Sequence, residues 1–173
     1  IIVRVNKFDE KSSKDFNDGI AKAHSTGQKV IPVVIDSYGG EVYSLMSMIS
    51  AIKHSEIPVA TIVEGKAMSC GEEGMRYMDP NATLMIYDVS SGQLGKVEEV
   101  KASAAETERL NEIVYKMMAQ NCGKKDDYFI KLVDKKKHAD WFLNASECKK
   151  HGLANHLRIP KLNITVDVGI DFE

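Results

Sequence analysis

Residues 29–35 (KVIPVVI) and Val59–Val63 (VATIV) are short apolar runs with almost no polar alternation, and each ends at a turn of small and charged residues. A strand of that kind is buried on both faces, which requires a sheet covered by helices on both sides, and such sheets are mostly parallel. The segment between the runs agrees. Val42, Leu45, Met46, Ile49 and Ile52 recur on one helical face, and Pro58 resets the chain before the second run. Strand, helix and strand in that order make a right-handed crossover. Pro32 inside the first run has no N–H for a ladder bond, which predicts an edge position or a bulge there.

The pattern extends in both directions. Residues 1–5 read as a β-branched first strand, and Phe16, Ile20 and Ala23 give residues 11–24 a helical face that Gly27 ends. A strand over residues 83–86 follows Pro80. Residues 96–120 carry the strongest helical pattern, with Val97, Val100, Ala104, Leu110, Ile113, Val114 and Met117 near the 3.6 period, and residues 126–133 form a further helix. Asn144 has N-cap character with Glu147 three residues on, and Gly152 closes that short helix. The fold class is α/β.

Composition narrows the function. With 23 Lys and Arg against 25 Asp and Glu, the chain lacks the basic excess of a nucleic-acid binder. No apolar run reaches the roughly 18 residues of a membrane helix. Cys70, Cys122 and Cys148 are an odd number without metal-ligand spacing, so neither a disulfide framework nor a metal site nor a cofactor is expected, and a reducing, cytoplasmic setting fits. No signal peptide precedes Ile1, so the Asn-x-Ser/Thr triplets at Asn81, Asn144 and Asn163 are read as chance.

In such sheets reactive residues lie beyond the carboxyl ends of strands, where turns lead into helices. Two turns qualify, residues 36–40 (DSYGG) and 64–71 (EGKAMSCG). Ser69, set among small residues and glycines just past a buried strand, resembles a nucleophile turn, where free backbone N–H groups and a helix dipole favour a developing oxyanion. The bare backbone of Gly39-Gly40 admits close approach of a substrate and offers a further N–H. Taken singly, each is equally an ordinary tight turn.

Taken together and in order, IDSYGGEV, VATIVEGKAMSCG, DPNATLMIYDVSSG and HADWFLNASECKKHGLANHL resemble the motifs of the Clp protease proteolytic subunit (ClpP) family. The resemblance covers residues 1–157 as a single peptidase domain and leaves 158–173 as a C-terminal extension whose alternation suggests an edge strand or a subunit contact. It implies the ClpP/crotonase-like spiral of ββα units with a projecting handle helix. It further implies a serine endopeptidase working through an acyl-enzyme, with Ser69 as nucleophile, Asp140 as the triad acid, and the N–H groups of Gly40 and Cys70 as oxyanion hole. Family members are self-compartmentalising homo-oligomers: stacked, heptameric rings locked by the handle, here residues 88–95. They take unfolded polypeptide from an AAA+ unfoldase partner. Short, divergent versions of the family also occur among phage head-maturation proteases.

Three departures accompany the match. The triad requires an imidazole between hydroxyl and carboxylate, and the matching position holds Tyr87. A phenol with an ordinary pKa of about 10 is a poor general base at neutral pH. Three readings follow: an inactivated form of a peptidase, a non-catalytic pseudoenzyme or structural ring subunit, or a site with another base. Lys66 and His138 are the candidates for the last, each with a plainer reading as a solvated charge. The second departure is that Gly71 runs directly into Glu72-Glu73, and the interval from Ser69 to Tyr87 is about seven residues shorter than in the family. Either this branch lacks two helical turns, or the sequence is interrupted between Gly71 and Glu72. The third is Tyr38, where the family has proline. Acyl-CoA chemistry, which crotonases perform on the same spiral, does not need a serine at position 69.

Overall fold

The computed structural model describes residues 1–66 and 75–172. β1 (Val3–Val5), β2 (Ile31–Ile35), β3 (Val59–Val63) and β4 (Arg76–Met78) form a parallel sheet in that order. Every residue of β2 is buried, and every residue of β3 likewise, as their unbroken apolar runs require. Pro32 is neither in an edge strand nor at a bulge, since β2 lies inside the sheet with continuous register from Ile31 opposite Val59 to Ile35 opposite Val63. The Ile31 N–H bonds Pro58 on the β3 side at 2.9 Å, so the next nitrogen along, that of Pro32, faces the β1 side. There β1 begins only at Val3, opposite Val33, so the missing N–H forfeits no ladder bond.

α1 (Glu10–Ala23) starts at a capping box: Asp9 Oδ1 accepts from the Ser12 N–H at 2.7 Å, and Ser12 Oγ accepts from the Asp9 N–H at 2.9 Å. Its Phe16, Ile20 and Ala23 are buried, and it packs on β1 and on α2 (Val42–Lys53), which buries Leu45, Met48 and Ile49. β5 (Leu84–Ile86) and β6 (Trp141–Leu143) form a separate antiparallel pair. α3 (Val97–Asn121), α4 (Tyr128–Lys135) and α5 (Ala145–Lys150) complete the fold. Asn144 caps α5 as the sequence suggests, its Oδ1 accepting from the Glu147 N–H at 2.9 Å.

The apolar stripe of α3 divides in two. Leu110, Val114, Tyr115 and Ala119 are buried, whereas Val97 is 67% exposed and Val100 and Ala104 also lie open. The first three turns of α3 therefore project from the body, as a handle helix does. The extension after residue 158 forms no strand among the described residues. Its alternate Ile164, Val166, Val168, Ile170 and Phe172 are all exposed.

β4 and β6 are short strands that the sequence reading does not assign. β4 is nevertheless the tie that joins the sheet to the helical layer. Arg76 is 3% exposed, and its guanidinium donates to the Asn121 carbonyl at 2.6 Å and the Gly152 carbonyl at 2.8 Å, at the ends of α3 and α5. A cation suits the negative pole of α3. The Arg76 carbonyl in turn accepts from the N–H groups of Asn155 and His156. Arg76→Met keeps the stem but strips both carbonyls of their donor, and we expect a loss of about 1–3 kcal/mol in unfolding free energy, read from urea denaturation.

Candidate active site

The turn leaving β2 is built on two glycines. Gly40 has φ of +151°, and a Cβ there would collide with the Phe8 carbonyl oxygen, because Phe8 and Gly40 form a parallel bridge. The Phe8 carbonyl also accepts from the Glu41 N–H at 2.8 Å, which starts α2. Gly39 has φ of +103°, and its missing Cβ leaves the space that the Tyr87 hydroxyl occupies. Both positions therefore need glycine for backbone and contact reasons together. The buried Ser37 accepts the Gly39 N–H at 3.0 Å, while its own N–H bonds the Lys66 carbonyl at 2.8 Å.

That last bond stitches the turn after β2 to the turn after β3. The Gly65 carbonyl accepts from Thr83 at 2.9 Å, so the chain at Gly65-Lys66 is held between Ser37 and the strand leading into β5. Ser69 and Cys70, the expected nucleophile and second oxyanion donor, lie outside the described residues. Lys66, three positions earlier, does not have the character of a base. Its Nζ pairs with Asp36 Oδ1 at 3.1 Å and sits 3.9 Å above the ring of the exposed Tyr38. The hydrogen bond to Asp36 raises its pKa, which keeps the ammonium protonated. Tyr38, in place of proline, thus anchors a cation beside the glycine turn.

β5 and β6 carry the other two positions expected for a triad. Their last pair is Ile86 opposite Trp141, so Tyr87 and Asp140 are each one residue past it on facing strands. Asp140 is exposed and Tyr87 half-buried. Gly40, Tyr87 and Asp140 are thus gathered at one end of the fold. Tyr87 lines two cavities. One, of about 600 Å³, is a groove between the start of α2 and the middle of α3, lined by Gly40, Tyr43, Leu45, Val89, Thr107 and Leu110 among others. The other, of about 240 Å³, is lined by Tyr38, Lys66, Met85 and Phe142 together with Tyr87.

The sequence reading misses one cluster beside the site. Asp88 accepts from Tyr115 Oη at 2.7 Å, from Asn111 Nδ2 at 3.3 Å and from His138 Nδ1 at 2.8 Å. His138 Nε2 meets Asp134 Oδ1 at 3.0 Å, so His138 is not the free solvated charge that the Lys135-Lys136-Lys137 run suggests. Only spatial proximity reveals this, because Asp88 and His138 are 50 residues apart. Burial pushes the Asp88 carboxyl up, but the donors from Tyr115, Asn111 and His138 outweigh it and hold its pKa below the usual carboxylate range. Cys122 and Cys148 are free, and burial drives the Cys148 pKa up to about 12.

The sequence profile of the Clp protease family matches residues 1–159. The chain belongs to the Clp protease family. A curated relative, the ATP-dependent Clp protease proteolytic subunit 1 of Rhodopirellula baltica, is 29% identical over 137 residues, which are 75% of this chain and 59% of that protein. The chain therefore spans less than two thirds of that relative's length. Among the described residues, no helix is long and apolar enough to cross a membrane.

Because the folded pKa of Asp88 is depressed, its contribution to stability is present above the unfolded carboxylate pKa of about 3.9 and is lost as pH falls through the folded value. Asp88→Asn should therefore lower the urea midpoint at pH 7, and the gap from the parent should narrow as pH drops below about 4.

Proposed function

We propose that the chain is a serine-type endopeptidase subunit of a self-compartmentalising ClpP-like protease, in a form whose general base is absent. The observation that carries this reading is the meeting of the Gly39-Gly40 turn with positions 87 and 140 at the end of β2 and β3 from which the chain leads to Ser69. In that reading Ser69 attacks the scissile carbonyl, and the N–H groups of Gly40 and Cys70 receive the developing oxyanion. The Gly40 N–H has no acceptor among the described residues. Asp140 orients the base at position 87, which takes the serine proton and passes it to the leaving amine; a water then releases the acyl group by the same route.

The groove beside Gly40 supports an extended peptide as substrate, since it is apolar, open and bordered by backbone. The projecting half of α3, with Val97, Val100 and Leu94 exposed, supports assembly into stacked rings that admit unfolded chains, with an AAA+ unfoldase feeding them. Residues 1–157 form the peptidase domain in this account, and 158–173 an extension. A non-catalytic ring subunit is the second reading. It is favoured by one observation: the Tyr87 hydroxyl fills the space over Gly39, where a phenol neither accepts the serine proton readily nor leaves room for another base.

A fluorophosphonate probe tests the first reading. The chain with Tyr87 should label weakly or not at all. Tyr87→His should label strongly, and adding Ser69→Ala should abolish the signal. Absence of labelling in correctly folded Tyr87→His would favour the non-catalytic reading.

A further inference from the structure

The polar cluster beside the site has a geometry that its surface position does not require. Lys137 and His138 both adopt left-handed backbone, with φ of 55° and 57°, directly after α4. For residues with a Cβ that conformation costs roughly 1 kcal/mol each and persists only where the surroundings determine it. The surroundings here are of two kinds. Backbone bonds run from the Lys137 N–H to Asp134 at 2.9 Å and from the His138 N–H to Val133 at 3.1 Å. The His138 ring is then gripped by carboxylates on both sides, Asp88 through Nδ1 and Asp134 through Nε2. Each ring nitrogen of His138 thus has a carboxylate partner.

Asp88 is itself held by α3, through the buried Tyr115 and through Asn111, whose Oδ1 also accepts the Val89 N–H at 2.9 Å. The chain of contacts therefore runs from α3 through Asp88 and His138 to α4. It crosses between the two strands just past their last pair, Ile86 and Trp141, where Asp88 lies one residue after Tyr87 and His138 two residues before Asp140. Without such a crosslink the exposed Asp140 would sit on an open strand end.

We propose that His138 is a positioning residue. By bridging Asp88 and Asp134, it closes the open end of the β5–β6 pair and holds Asp140 against position 87. The catalytic consequence rests on the peptidase reading given above; the structural consequence does not. His138 touches neither the glycine turn nor the groove, and it acts through the backbone of the strand that carries the acid.

Trp141, the single tryptophan, follows Asp140 directly and reports on this strand. Its ring is buried, edge-on to His151 at 5.1 Å and 5.0 Å below Lys136 Nζ. In the parent chain, His138→Ala should shift Trp141 emission to the red and increase its quenching by acrylamide. His138→Arg, whose guanidinium has donors for both carboxylates, should restore parental emission. In the Tyr87→His background, His138→Ala should lower kcat on a fluorogenic peptide by about 10- to 100-fold with KM nearly unchanged, the scale of a misplaced catalytic group, and His138→Arg should recover most of it. Parental emission and quenching in His138→Ala would overturn the proposal, as would failure of His138→Arg to do better than alanine. If Tyr87→His alone cleaves nothing, the peptidase reading has failed instead, and the fluorescence comparison by itself decides for or against the clamp.

Discussion

The parallel pairing of β2 with β3 governs everything else at the candidate site. Ile35 lies opposite Val63, so the two strands end level, and the turns that follow start side by side. The Ser37–Lys66 backbone bond and the Lys66–Asp36 ion pair are consequences of that level ending. A one-residue slip would stagger the two strand ends and pull the following turns out of line. The rigidity of two apolar strands is thus transmitted to a turn of bare glycines.

The rest of the site is supplied by a second layer that is joined to the sheet rather than continuous with it. β5 and β6 bring positions 87 and 140 together, and the helices that back them are tied to β4 by the buried Arg76. A buried guanidinium is expensive unless its donors find acceptors, and here the carbonyls at the ends of α3 and α5 take up Nη1 and Nη2. The chemistry is arranged around a position whose occupant does not suit it. Glycine at 39 accommodates the Tyr87 hydroxyl, so the phenol is well housed, yet a phenol does not serve as the proton acceptor that a serine nucleophile needs. The scaffold of a hydrolytic site and the means to use it are separable here.

Much of this was legible in the residues. Both buried strands, the helices α1 and α2 and the Asn144 cap follow from runs, periods and capping chemistry, and the motif order led to the family. What was not legible has physical causes. β4 and β6 are defined by their pairing, with β3 and with β5, rather than by an apolar run of their own. Pro32 looked like an edge residue because one-dimensional patterning cannot tell how far β1 extends; the strand is central but its neighbour stops short. The apolar period of α3 marks a helix but does not say which of its turns are covered: Leu110, Val114 and Ala119 are buried, whereas Val97 and Val100 are exposed. The alternating extension likewise has strand character without a strand to pair with among the described residues. His138 was misjudged because its partners, Asp88 and Asp134, reach it only through the fold. Of the triad and oxyanion positions, Gly40, Tyr87 and Asp140 are brought together, while Ser69 and Cys70 lie outside the described residues.

The proposal at the centre of this account is a serine peptidase site that lacks its general base. Chemical rescue tests it most directly. Tyr87→Ala opens the space of the phenol ring, and free imidazole can then supply the missing base. Hydrolysis of a peptide ester by this variant should rise with imidazole concentration, approach saturation, and vanish when Ser69→Ala is added. Hydrolysis that is indifferent to imidazole, or that survives Ser69→Ala, would contradict the account.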